Sequence, residues 1–259
     1  MNRPAALSRP ASPVRAIGAM TAMELRLVLR RGENLFATIV IPTLVLVLFS
    51  SISILPTGSG RPVDFLLPGA IALGIVATSF VSLGITTAYD RSYGVLKRLG
   101  GSPLSRAELV VARLLTVLVV EAVQIALLVA TATVALGWSA GGGGSPVLFV
   151  VAVLLGTAAF AGLGLLLAGT LRAETVLALA NVLFLGFLVV GGIVVPIERL
   201  PAPLAAIAAA LPAAPLSELL RSALGSAAVG GADLASAVVL LAVWAVAALG
   251  LAAARFRWE

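Results

Sequence analysis

The chain contains no cysteine and no histidine. Without Cys there can be no disulfide and no thiolate metal site. Without His there is no Ser-His-Asp triad and no imidazole proton relay, and the commonest metal ligand is missing. Charge is scarce as well: Asp, Glu, Lys and Arg make up 11% of the 259 residues, against about 25% in a typical soluble domain. The acids are scattered singly, so no pocket of converging titratable groups suggests a membrane transferase or protease. No G-x-x-x-x-G-K-[ST] occurs anywhere. The sequence therefore holds no loop to cradle nucleotide phosphates, and any ATP chemistry must come from a partner.

What is present is apolar surface. Hydrophobic types reach 61% and the mean hydropathy is +1.15. A soluble sphere of this size could not cover so much apolar side chain, and disorder needs the opposite composition. The fold class that remains is all-α, a polytopic integral membrane protein. The net charge of +6 does not point to nucleic acid, because the cations flank apolar runs instead of forming a basic face. The excess of Arg over Lys and the wealth of Ala suit a high-GC bacterial gene.

A hydrocarbon core of about 30 Å needs roughly 20 apolar residues in a helix. Six segments meet this, at about 35–54, 65–88, 109–136, 147–169, 175–195 and 234–254, and together they make one six-span membrane domain over 35–254. Pro42 falls inside the first span, where neighbouring helices can satisfy the freed carbonyl. Six spans put both termini on one side, and the cations decide which. Arg3, Arg9, Arg15, Arg26, Arg30, Arg31, Arg91, Lys97, Arg98, Arg106, Arg113, Arg172, Arg255 and Arg257 fall on one face, and only Arg61, Arg199 and Arg221 on the other. Fourteen against three places both termini in the cytoplasm.

The first 34 residues are too charged for a cleaved signal peptide. Residues 1–13, with three prolines, read as a loose cytoplasmic tail, and 255–259 as a second short tail. Residues 14–33 read as an amphipathic helix in the membrane interface. At 100° per residue Arg15, Arg26 and Arg30 lie within about 60° of one another, toward lipid head groups, with Ile17, Met20, Leu25, Leu27 and Val28 opposite. The other reading of this segment is a cytosolic extension of the first span. Glu24 falls inside the apolar stripe, with Arg31 as its expected partner. Gly141 to Gly144 make an outer flexible tether. The stretch 196–232 is neither loop nor span. Pro212 and Pro215 break it into two short apolar helices, about 203–211 and 214–224, which dip into the outer leaflet and return.

The segment Tyr89–Leu115 is the richest in signals. Asp90 opens a short helical run, about 90–99, in which Val95, Leu96 and Leu99 share an apolar face beside Lys97 and Arg98. Gly100, Gly101 and Pro103 stop that run. Ser105-Arg106-Ala107-Glu108 is then an S-x-x-E capping box opening the third span. A helix along the membrane between two breaks suits a surface docking onto a cytosolic partner; a solvated cationic loop is the plainer alternative.

Gly94-Val95-Leu96-Lys97-Arg98-Leu99, followed by Ser102-Pro103-Leu104-Ser105-Arg106-Ala107-Glu108-Leu109, resembles the permease signature of type-2 ATP-binding-cassette exporters, which include drug-resistance and polysaccharide-export permeases. Val194-Val195-Pro196, Leu200-Pro201, Leu211-Pro212 and Glu218-Leu219-Leu220-Arg221 are similar to that family's outer re-entrant hairpin. Asp90-Arg91-Ser92-Tyr93, Val95 and Lys97 depart from the pattern. The resemblance implies a permease subunit without its own ATPase site in a bacterial inner membrane. It would pair with a second permease, itself or a similar chain, and with a separate ATPase subunit that carries ATP and Mg. An amphiphile, a drug or a lipid-like molecule, would be moved outward.

Glu24, Asp90, Gly94, Leu96, Arg98, Leu99, Pro103, Ser105 and Glu108 are then the candidates for coupling to the ATPase, and Pro196, Pro201, Pro212 and Arg221 shape the outer hairpin. Spans two and five would line the route, offering Ser79, Ser82 and Thr86, and Asn181, Phe184 and Phe187. The hydroxyls can equally bond back to carbonyls of their own helix, and the two phenylalanines can face lipid. Glu121 is the one acid deep in an apolar run, with Gln124 the best-placed partner; a hydrogen-bonded structural carboxyl and a functional one are both open. The alternative function is an ion-gradient-driven secondary transporter using Glu121.

Overall fold

A computed structural model of the chain describes residues 12–30, 32–51, 61–100, 105–140, 143–193, 197–226 and 231–255. Residues 1–11, Arg31, Pro103, Pro196 and the last four residues, on which some sequence-based expectations fall, lie outside this range. The elements are α1 (Pro13–Arg30), α2 (Gly32–Ser51), α3 (Pro62–Ser92), α4 (Val95–Gly100), α5 (Arg106–Leu136), α6 (Pro146–Thr170), α7 (Ala173–Val190), α8 (Ala202–Ala210), α9 (Ala213–Ala223) and α10 (Gly231–Arg255). There is no strand among the described residues.

Helices α3, α5, α6, α7 and α10 are long and apolar enough to cross a membrane. The 20 residues of α2 rise about 30 Å, again the thickness of the hydrocarbon core. The chain is a multi-pass membrane protein. Helix α2 continues through Pro42, and in the adjoining turn the Thr43 hydroxyl donates to Ile39 O at 2.7 Å. A hydroxyl with no water to turn to is satisfied by a carbonyl of its own helix in this way.

The helix ends follow from their residues. Ser105 opens α5 as a full capping box: its N–H donates to Glu108 Oε2 at 2.6 Å and its Oγ accepts from Glu108 N at 3.2 Å. Gly137, at φ 64°, closes the same helix. Ser145 and Pro146 open α6. Most span ends shift by a few residues from the sequence reading, and three differences have a clear local cause. The third span begins at Arg106, before Leu109, because the capping box belongs to the same helix. The fifth ends at Val190, not 195, because Gly191 and Gly192 follow, the latter at φ 69°. The expected run 90–99 is two helices: Asp90 lies in the last turns of α3, and Tyr93-Gly94, with Gly94 at φ 68°, separates it from α4.

Helix α6 is the central post, packed along α10 and against α3 and α9. Phe80 of α3, Phe160 of α6 and Phe187 of α7 meet edge to face, with ring centroids 5.3–6.4 Å apart. This trio pins spans two, four and five together. Helices α8 and α9 form a pair bent by 79° at Leu211-Pro212. Ser217 Oγ donates to Gly191 O, the Arg221 guanidinium donates to Gly192 O and stacks 4.0 Å over Phe65, and Trp244 Nε1 donates to Ala210 O. The short pair is thereby fastened to the break after α7 and to α10. On α5, α7 and α10, Val119, Val123, Val182, Leu185, Val243 and Val246 point outward, as on helices bathed in hydrocarbon.

Candidate functional site

Polar residues in these spans gather on the faces shared by α1, α3 and α5. Helix α3 is the most buried span, and its middle turns, Val76–Ser82, are π-helical. A π turn carries one more residue than an α turn and is frequent at functional sites. Beside it, Thr78 Oγ1 donates to Gln124 Oε1 of α5 at 3.3 Å.

Toward the α1 end of the bundle, Arg113 of α5 is 4% exposed. Its guanidinium donates to Thr87 Oγ1 and to Asp90 Oδ2, both on α3, and its Nε lies 3.5 Å from Glu24 Oε1 on α1. One side chain thus joins three helices. Thr21 Oγ1 of α1 approaches Ala112 O at 3.4 Å, so α1 rests on α5 beside this cluster. Glu24, Val28, Ser82, Thr86, Arg113, Thr116 and Val117 line a narrow cleft there, with a volume of about 60 Å³. That holds a few waters; a pocket for a drug-sized molecule is about 300–1,000 Å³.

The coupling candidates divide between surface and interior. Leu96 of α4 is buried with Met20, Leu109 and Ala112, and Leu99 is half-buried against the same cluster. The apolar face of α4 is covered by α1 and α5 and is not free for a partner. Lys97 and Arg98 are exposed, and Tyr93 is 69% exposed. Gly94 forms the turn before α4, and Ser105 and Glu108 serve the cap of α5. Glu24 meets Arg113; its expected partner Arg31 is outside the described residues.

The expected route residues occupy different surroundings. Ser79 is fully buried and donates to Ile75 O at 2.6 Å. Ser82 and Thr86 line the cleft. Asn181 is exposed and its Nδ2 donates to Leu177 O, while Phe184 is half-buried and Phe187 sits in the aromatic trio. Glu121 is bonded to Thr157 Oγ1 of α6 at 2.5 Å, not to Gln124, which turns to Thr78. Of the hairpin candidates, Pro201 precedes α8, Pro212 stands at the bend and Arg221 clamps α9. In the sequence Arg113 reads as a flanking cation, and as a poor partner for Glu121 eight residues on; nothing there joins it to Glu24 or Asp90. The available signal was its position, five residues past the Glu of the capping box and inside an otherwise apolar span.

A family model described as ABC-2 type transporter matches residues 15–224. The chain belongs to the ABC-2 type transporter family. No curated protein matches the sequence. The matched range runs from α1 through α9 and takes in the arginine cluster, α4 and the bent pair. As an ABC-2 member the chain is a permease component of an ABC-type transporter and not its ATPase; permeases of this family normally pair with an ATPase subunit.

Proposed function

We propose that this ABC-2 permease is the membrane half of a bacterial exporter that moves an amphiphile, drug-like or lipid-like, out across the inner membrane, driven by ATP hydrolysed on a separate subunit. Both termini lie in the cytoplasm, and a second permease, identical or similar, completes the route. The family membership supports the ATP-coupled reading, and the mostly apolar spans favour an amphiphile over an ion or a sugar.

The observation that carries the proposal is the construction of the α1 end. Leu96 sinks α4 into α1 and α5 and leaves Tyr93, Lys97 and Arg98 facing outward. Arg15, Arg26 and Arg30 are exposed on α1 at the same end, and Arg91 donates to Leu171 O in the α6–α7 link. A cationic platform fixed to the spans can receive force from a cytosolic subunit and pass it on. Helix α1 lies along the interface with its arginines toward anionic head groups.

The test is purification of the tagged permease from its native membrane, followed by reconstitution in vesicles. An ATPase subunit that accompanies it, and ATP-dependent movement of a fluorescent amphiphile, are expected. Lys97→Glu combined with Arg98→Glu reduces both. Transport by the permease alone, or a Ser92→Cys label reached only from outside the cell, overturns the proposal.

A further inference from the structure

Arg113 is placed between two carboxylates that belong to different helices. Its guanidinium donates to Asp90 and Thr87 on α3, whereas its Nε has no hydrogen-bond acceptor and the nearest oxygen of Glu24, on α1, stands 3.5 Å away. The side chains of Arg113, Glu24 and Asp90 are 5%, 13% and 17% exposed. The cluster is largely buried, with Glu24 and Arg113 bordering the narrow cleft, and in such a place a charge without a partner is penalised. The guanidinium reaches both anchors at once, hydrogen-bonded to Asp90 and ion-paired with Glu24 at 3.5 Å, and the two contacts are unequal.

The surrounding parts are built for an exchange between these two contacts. Met20, Leu96, Leu109 and Ala112 bind α1, α4 and the first turns of α5 into one block. At its Asp90 end helix α3 is joined to that block by the Thr87 and Asp90 contacts of Arg113 and by the Tyr93-Gly94 turn, where nothing lies within 4 Å of the position a Gly94 side chain would take; further along, Thr78 bonds it to Gln124 of α5. Two turns before Asp90, the π stretch Val76–Ser82 interrupts the regular ladder of α3. π turns are among the places where a helix kinks, so the two halves of α3 need not move as one rod.

We propose that Arg113 is the positioning residue that couples α1 to α3. Asp90 holds it in the state described here; in the other state Glu24 draws it away, and the Asp90 end of α3 shifts against the α1–α4–α5 block. This rests on the reading that an ATPase subunit drives the permease: closure of that subunit on ATP would push the block and favour the Glu24-held state.

The absence of cysteine makes Arg26→Cys on α1 and Ser92→Cys at the end of α3, both exposed, the only labelling sites in the doubly substituted chain. Spin labels there report the α1–α3 separation by pulsed electron paramagnetic resonance in lipid nanodiscs. In the permease alone, Asp90→Asn moves the population toward a second separation, and Glu24→Gln moves it the opposite way, each by about fivefold or more in the ratio of the two states. In the complex with its ATPase subunit, Mg-ATP with vanadate shifts the labelled chain with its Glu24–Arg113–Asp90 cluster intact in the direction of Asp90→Asn. Arg113→Gln abolishes that response while ATP hydrolysis continues. Arg113→Lys, which keeps the charge but not the fork, retains part of it and serves where the Gln variant does not fold. If Asp90→Asn and Glu24→Gln shift the labels in the same direction, or leave them unmoved, the cluster is a static bridge and the proposal is wrong. Should no ATPase subunit accompany the permease, the functional reading fails, and the opposed shifts in the permease alone still decide the exchange.

Discussion

Leu96 and Met20, 76 positions apart in sequence, lie buried in one small cluster where the shortest helix meets the amino-terminal one. This contact makes α4 a fixed part of the permease and not a loose loop. It also separates two effects that the sequence alone joins in α4, packing and docking.

Leu96→Ala is therefore expected to act through stability. Truncating a buried leucine typically costs about 2–5 kcal/mol, so the thermal midpoint in detergent falls clearly. Lys97→Glu is exposed and leaves the midpoint nearly unchanged, within about 0.5 kcal/mol, while weakening recovery of the ATPase subunit. A stable Leu96→Ala variant would contradict the burial.

Removing one member of the arginine cluster leaves a charge without its partner. Breaking a buried pair in this way costs about 3–5 kcal/mol; the partial exposure of Glu24 and Asp90 places Arg113→Ala toward the lower figure. Thermal unfolding of the detergent-solubilised protein measures it, and an unchanged midpoint would show that the guanidinium contributes nothing.

At Glu121, Gln keeps an oxygen to accept from Thr157. Glu121→Gln is expected to hold stability within about 1 kcal/mol and to preserve transport, whereas Thr157→Val leaves a buried carboxyl unmatched and costs about 1–3 kcal/mol. Loss of transport in a well-folded Glu121→Gln protein would favour the ion-gradient alternative.

Gly164 of α6 faces the π stretch of α3. A Cβ there would stand 2.8 Å from Phe80 O, a backbone atom that cannot swing aside. Gly164→Ala is expected to cost about 1–3 kcal/mol as overpacking. Its midpoint should fall much further than that of Gly186→Ala, at a position with open space.

Much of the fold was legible because bilayer physics leaves few choices. A run of about 20 apolar residues must form a helix to satisfy its own backbone, and Ser105–Glu108, Gly137 and Pro146 announce helix ends by local chemistry. The bend at Pro212 was readable for the same reason. The site was less so. Tyr93-Gly94 was hidden because the polar run Asp90–Ser92 before it carries no apolar periodicity that would assign it to the preceding span, and Leu96 showed an apolar face without showing what covers it.

The partners of the buried polar groups lay further still from view. Glu121 was paired with Gln124 because both lie on one helix, yet each bonds to a different neighbour, Thr157 or Thr78. Composition and spacing by themselves determined that this chain crosses a membrane repeatedly and which segments do so, since those follow from a residue's own solvation and its near neighbours in sequence. Only the tertiary structure decided that Arg113 stands between Glu24 and Asp90 and that α3 carries a π turn against Gly164. Such facts depend on which helix faces are brought together, and in a uniformly apolar sequence hydropathy does not say which face will meet which.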